Sequence, residues 1–419
     1  MSSEVALYVH IPFCRTRCAY CAFNTYAGLE SLIPAYGEAL CAEIRQGKFC
    51  APAATAYFGG GTPSLLPPDV LARLLDALRG RFSLLPDAEV TLEANPGTVD
   101  GAYLRRVREL GVNRLSLGAQ SAHEDERRLL GRRHTWADVV AGVEAARAAG
   151  LDNVNLDLIY GLPGQALARW HESLEAALSL KPDHLSLYAL TLEEGTPLQG
   201  QVARGELPPP DDDLAAEMYE WAQERLARAG YVHYELSNWA RSDRYVCRHN
   251  LTYWYNEPYL GFGAGASSWW GGWRWTNVRH PEEYIRRLAA GQSVVEETEE
   301  IGPRLEMGET MMMGLRLVGG VSDARFRARF GVGLAEVFGG ALARLSDLGL
   351  LEWDGQTARL TPRGRLVGNW VFRECVSGGG GVGGGGLRPP PTPLLASSHP
   401  CAIMALGSDD DGKRRSCTL

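Results

Sequence analysis

Three cysteines near the start, Cys14, Cys18 and Cys21, stand in a C-x3-C-x2-C spacing just after a short apolar run, ALYV at 6–9. Thiolates are the ligands that iron–sulfur clusters require. Three of them leave one iron of a 4Fe–4S cluster without a protein thiolate, and an open metal position accepts an exogenous ligand. Tyr20 and Phe23 flank the third cysteine and are placed to shield such a cluster from water. The alternatives are a structural zinc, with His10 or a distant residue as fourth ligand, and plain loop cysteines. Zinc loops favour paired C-x2-C spacings, and no second pair follows here.

Further residues of chemical interest come after later apolar runs. Gly59, Gly60, Gly61, Thr62 and Pro63 form a glycine-rich turn where backbone can approach a ligand closely; a tight strand-to-helix turn would look the same. Glu93, Gln120 and Asp157 each end or follow an apolar run, in EANPGT, LSLGAQS and NLDLIYGLPGQ. Polar groups at strand ends converge on the mouth of a parallel barrel, although any one of them also fits a solvated loop. Arg132, in RRLLGRRHT, offers a planar guanidinium suited to a carboxylate, with Arg133 as the alternative. Residues 239–275 hold six of the eleven tryptophans and enclose CRHNLTYW, with Cys247 and His249 two places apart. Aromatic faces suit a flat macrocycle, and both imidazole and thiolate ligate haem iron. The competing reading is a packed aromatic interface holding a hydrogen-bonded histidine.

The elements that must position these groups alternate. Runs at 6–9, 55–58, 89–94, 113–118, 153–161 and 183–190 read as strands. Between them lie amphipathic stretches such as 67–79, 100–110, 135–149 and 167–179. That pattern predicts an α/β fold of right-handed βαβ units closing into an open, partial (β/α)6 barrel, with its chemistry at the C-terminal ends of the strands. ELPPPDDD at 206–213 breaks the pattern, and a helix over about 212–229 follows it. The expected organisation is a core barrel over 1–230, an aromatic-rich segment over 231–300, a C-terminal winged-helix-like module over 301–376 and a disordered Gly/Pro-rich tail over 377–419. Within the module, LSDLGLLEWDGQTARLTPRGRLVGNWVF reads as helix, strand, Asp-Gly turn, strand, helix.

Composition bounds the rest. The 419 residues carry a net charge of −8, with 45% hydrophobic and 22% charged residues, in the range of a globular protein of two or three domains. The mild negative balance gives no general attraction to nucleic acid or anionic membranes. Residues 304–374 contain ten arginines against eight acidic residues, too small an excess for a phosphate-binding face. No window approaches the roughly 20 apolar residues of a membrane helix. MSSEVALYVHIPFCRTRC lacks the basic and apolar regions of a signal peptide. Nine cysteines without an export signal argue for reduced thiols and metal ligation rather than disulfides. The expectation is a cytoplasmic protein that binds no nucleic acid and inserts in no membrane.

YVHIPFCRTRCAYCAF resembles the opening of the radical S-adenosylmethionine (SAM) superfamily, in its coproporphyrinogen III oxidase-like branch, and the resemblance runs over about residues 6–375. It implies a 4Fe–4S cluster on the three cysteines and SAM on the open iron. The loop with Gly60, Gly61 and Thr62 would hold the methionyl amino group, and Arg132 the carboxylate. Glu93, Gln120 and Asp157 would meet the nucleoside and ribose hydroxyls, and Tyr8, Tyr20 and Ala189 would lie along the cofactor. The implied chemistry is one-electron cleavage of the sulfonium to methionine and a 5′-deoxyadenosyl radical. HN-x2-YW at 249–254 resembles the HemW-type haem chaperones rather than the oxidases. Phe23 stands where the oxidases carry a further cysteine, and only 13 residues precede Cys14. This branch implies haem as ligand, through His249 or Cys247, an acceptor protein for the haem and an electron donor. The alternative is an oxygen-independent coproporphyrinogen III oxidase-like enzyme.

Overall fold

The computed structural model describes residues 4–47 and 49–377; the tail beyond lies outside the described residues. Six strands alternate with helices: β1 (Val5–Ile11), β2 (Ala53–Gly60), β3 (Leu84–Ala94), β4 (Arg114–Gln120), β5 (Val154–Tyr160) and β6 (His184–Ala189). The helices are α1 (Ile33–Gln46), α2 (Pro68–Phe82), α3 (Gly101–Glu109), α4 (Trp136–Ala148) and α5 (Leu167–Ser179), with α6 (Asp212–Arg228) after the last strand. Adjacent strands from β1 to β6 pair in parallel, as strands joined by helical crossovers do. Helix starts are locally specified. Thr135 and Asp138 form a reciprocal capping box on α4, and Asp100 caps α3.

Side chains alternate along these strands, apart from register shifts at Val5/Ala6, Ala53/Thr55 and Gly118/Gln120. Leu7, Val9, Phe58, Leu92, Leu117, Leu156 and Leu187 point outward and join Leu40, Leu74, Leu104, Val143 and Leu174 of the helices in one core. The opposite face carries polar groups: Thr55, Glu89, Arg114, Asn155 and His184 near the strand starts, and Glu93, Ser116 and Asp157 further along. The sheet is thus buried on both sides, apolar on one and lined by mutually hydrogen-bonded polar groups on the other.

Residues 232–300 add strands to both edges of this sheet. β7 (Val232–Glu235) and β8 (Asn238–Ala240) continue it beyond β6. β9 (Tyr259–Phe262) pairs in parallel with β1, and β10 (Ser267–Trp270), β11 (Trp273–Asn277) and β12 (Val295–Glu300) follow it antiparallel. The strand order is β12-β11-β10-β9-β1-β2-β3-β4-β5-β6-β8-β7. Helix α7 (Arg248–Trp254) lies at the N-terminal ends of the strands. Glu89 accepts from the backbone N–H groups of Arg248 and His249, both at 3.0 Å, and Thr55 bonds the His249 ring.

The C-terminal module contains α8 (Pro303–Gly314), α9 (Leu334–Asp347) and a small sheet of β13 (Val321–Ser322), β15 (Thr357–Leu360) and β14 (Leu351–Trp353), in that order. The Asp354-Gly355 turn joins the last two strands, as its sequence predicts. The module docks on the barrel through backbone bonds from Leu236 to Arg316 and from Val318 to Tyr234. The Arg316 guanidinium is buried between the rings of Trp254 and Phe372. Among the described residues no helix is long and apolar enough to cross a membrane.

Candidate cofactor site

A cavity of about 660 Å³ opens at the C-terminal ends of the parallel strands, lined by Cys14, Cys18 and Cys21. The cysteine loop is pinned at both ends, because Phe13 and Cys14 pair in parallel with Tyr26 and Ala27. Each thiol meets a polar neighbour: Thr62 Oγ1 lies 3.7 Å from Cys14, Arg132 Nη1 3.6 Å from Cys18 and Thr25 Oγ1 3.9 Å from Cys21. Among the described residues no three His, Cys, Asp or Glu are arranged to hold a single metal ion.

The glycine turn backs the first thiol. Gly61 and Thr62 donate their N–H groups to the Ile11 and Phe13 carbonyls, at 2.8 Å each, and Gly60 donates to Glu93 at 3.2 Å. Gly60 has φ +114°, a conformation that disfavours any side chain. A Cβ on Gly61 would meet the Phe13 oxygen at 2.6 Å and the Cys14 sulfur at 3.0 Å. The close approach expected from the glycines is therefore made first by the cysteine loop. With these amides engaged, a ligand contact here falls to carbonyl oxygens.

Glu93, Gln120, Arg132, Asp157 and Ala189 line the same cavity, as do Tyr20, Gly60, Gly61 and Thr62. Burial pushes the Glu93 carboxyl up to about 7, while its bonds from Tyr57 and Gly60 oppose that rise and the nearby Asp157 charge adds to it. Gln120 adopts φ +66° at a register shift between β4 and β5. A non-glycine residue held in that region marks a position constrained by its surroundings. Asp157 accepts from Ser116 at 3.0 Å and from Asn155 at 2.8 Å. Arg132 donates from Nη2 to the Gly118 carbonyl at 2.7 Å, and its buried Nε has no partner. That unmatched donor beside the cavity suits an incoming carboxylate. Arg133 points outward, where it meets Thr16 at 3.5 Å.

Two predicted residues lie elsewhere. Tyr8 sits deeper in the barrel, its hydroxyl 2.9 Å from His10 Nδ1 and its ring 6.2 Å from that of Tyr57. His249 is buried at the opposite end of the strands. Thr55 Oγ1 engages its Nδ1 at 2.8 Å and the Tyr253 hydroxyl its Nε2 at 2.9 Å. Burial, followed by the Arg114 charge, lowers it to about 3. Cys247 is buried beside Glu89. A second cavity, about 490 Å³, lies between α7 and the module and is lined by Leu251, Trp254, Gly314 and Phe326, but by neither His249 nor Cys247. In this arrangement neither residue presents an atom to a haem iron. The tryptophans likewise form no single slot: Trp239 stacks on His233, Trp269 lies under Arg329, and Trp275 stacks on Phe49.

Asn24 is a further residue of the site that no motif in the sequence marks. Its Nδ2 donates to the Ala264 and Arg279 carbonyls, both at 3.0 Å. Its Oδ1 accepts from Tyr26 at 3.1 Å, and its own carbonyl faces His10 Nε2 at 2.9 Å. It ties the cysteine loop to the segments after β9 and after β11, and its only local signal is its place three residues beyond Cys21.

A cysteine-triplet loop over the C-terminal end of an open parallel barrel defines this chain as a radical SAM protein. Residues 8–177 match the Radical SAM superfamily, and residues 303–367 match the HemN C-terminal domain. The solved structure of coproporphyrinogen III oxidase from Escherichia coli, a radical SAM enzyme, superposes with a TM-score of 0.78 at 25% identity, covering 89% of this chain and 90% of that one. Within the superfamily the chain belongs to the HemW haem chaperone family. It is 43% identical to a haem chaperone HemW of Mycobacterium tuberculosis over 88% of this chain and 93% of that protein. It is 38% identical to the Bacillus subtilis HemW over 87% and 97%.

Proposed function

We propose that the protein is a cytoplasmic haem chaperone that binds haem and passes it to an acceptor protein, using a radical SAM core that a separate donor reduces. The observation that carries the core reading is the convergence of three thiols, a glycine turn and the unmatched Arg132 donor on one cavity. The haem reading rests on close kinship, over nearly full length, with proteins named haem chaperones. In this proposal Cys14, Cys18 and Cys21 hold a 4Fe–4S cluster. Carbonyls of the Gly60–Thr62 turn receive the methionyl ammonium of SAM, and Arg132 clamps its carboxylate. Glu93, Gln120 and Asp157 take the nucleoside and ribose, with Tyr20 and Ala189 alongside. When bound, the group supplies one-electron cleavage of a sulfonium; the protein supplies orientation and exclusion of water. The Glu93 carboxyl, held by Tyr57 and Gly60, fixes the acceptor geometry before any ligand arrives.

Haem ligation by His249, or by Cys247, requires that α7 give up a bond to Thr55, Tyr253 or Glu89. Anaerobic purification, cluster reconstitution and titration with haem test the whole reading. The expected result is about one haem per chain and no turnover of coproporphyrinogen III. Turnover would establish the oxidase alternative, and an absence of haem binding would overturn the chaperone reading.

A further inference from the structure

An electron donor for the cluster must approach the thiols closely, since electron transfer through protein falls steeply with distance. Cys18 and Cys21 are only half-buried, and the loop that carries them forms the outer wall of the cavity. Arg15 and Arg17, one residue before Cys18, are exposed on that loop. Arg133 is exposed beside them, 3.5 Å from Thr16. Among the described residues none of these three arginines is in an ion pair, whereas arginines such as Arg169, Arg225 and Arg286 are clasped by carboxylates. Arg279 stands further round the rim, its carbonyl accepting from Tyr26 at 3.2 Å. The acidic groups at this mouth, Glu193 and Glu194, lie on the loop after β6. In a chain of net charge −8, a cationic rim over the thiols orients an acidic partner toward this face and away from the rest of the surface. Guanidinium groups without partners pair readily with carboxylates.

We propose that Arg15, Arg17 and Arg133 form the docking face for an acidic one-electron carrier protein that reduces the cluster. The inference rests on the proposed cluster at Cys14, Cys18 and Cys21. In that step a reduced flavin protein would pass from hydroquinone to semiquinone, giving its one electron to the cluster that Cys14, Cys18 and Cys21 would hold.

The test uses the full chain with its cluster reconstituted, mixed anaerobically with flavodoxin hydroquinone as the acidic probe, and follows the loss of cluster absorbance. The expected rate falls as salt is raised. The combined Arg15→Glu, Arg17→Glu, Arg133→Glu variant should be slower by about tenfold or more at low salt, the lower end of electrostatic steering. Reduction by dithionite and affinity for SAM should be unchanged in that variant. Equal rates with flavodoxin would overturn the docking face. Equal slowing with dithionite, or weakened SAM binding, would do so too, by assigning the arginines to the cluster or its cavity. A wild-type chain without iron–sulfur absorbance would overturn the cluster reading and the docking face with it.

Discussion

The Tyr57 ring lies 4.9 Å from the His249 imidazole, at 21° to it. The Tyr57 hydroxyl donates 2.7 Å to Glu93, on the cofactor cavity. A single inward-facing side chain of β2 therefore touches both ends of the barrel interior. Between them the space is packed: a Cβ on Gly59 would meet Tyr57 at 2.9 Å and Glu93 at 3.2 Å. The two motifs that stand far apart in the chain, the glycine turn and HN-x2-YW, are joined through one phenol.

The buried His249 makes stability depend on pH. Its value is about 3 in the fold and 6.5 as the ordinary value. Between those values the unfolded chain binds a proton that the folded one does not, so stability falls as pH drops below about 6.5. Glu89 engages the His249 backbone N–H rather than its ring, and the Arg114 charge opposes its protonation. Denaturant titrations from pH 7 to 4 should show this loss, and His249→Gln should reduce the slope by about 1.4 kcal/mol per pH unit, the value for one proton. An unchanged slope would place the uptake on the other buried histidines.

Replacing Cys14, Cys18 and Cys21 together by serine should abolish iron binding and the associated visible absorbance in reconstituted protein. Full iron loading in that variant would refute the cluster assignment. Loss of a single zinc instead would favour a structural metal.

Arg132→Ala should weaken SAM binding by about 1.5–3 kcal/mol, the range for a charged hydrogen bond. Arg132→Lys should rescue only part of it, since an ammonium lacks the planar fork that reaches both Gly118 and Cys18. Calorimetry showing unchanged affinity in both variants would put the carboxylate partner elsewhere.

Gly265→Ala should destabilise the fold by about 1 kcal/mol or more, because φ is +75° there and the new Cβ would lie 2.4 Å from Asn24 Nδ2. Asn24→Ala should speed iron loss during gel filtration by freeing the cysteine loop. In the double variant the two melting-temperature losses should not add, since the clash disappears with the amide. Strict additivity would show that the two sites do not touch.

Much of this architecture is visible in the chain. Runs such as NVNLDL and HLSLYAL give the parallel strands, and their order places Glu93, Gln120 and Asp157 on one rim. Their overall apolar character, however, masks a period of two. Asn155, Asp157, His184 and Ser186 alternate with leucines and line a polar interior. Nothing local to CRHNLTYW reveals that its helix packs against the starts of strands more than a hundred residues earlier. The bonds of His249 to Thr55 and of Cys247 to Glu89 are tertiary, set by the pairing of β9 with β1. The role of Asn24 is equally non-local, since its partners lie some 240 and 255 residues away.

Helix α7 stoppers the end of the barrel opposite the cofactor cavity, and its stretch of chain leads into the strands that flank β1. The residues that mark the branch of the superfamily are thus also masonry. A change at His249, Asn250 or Trp254 disturbs the closure of the vessel along with any ligand held there. Lost haem in such a variant reads as a lost contact only where the cluster, the melting temperature and the SAM affinity all stay in place.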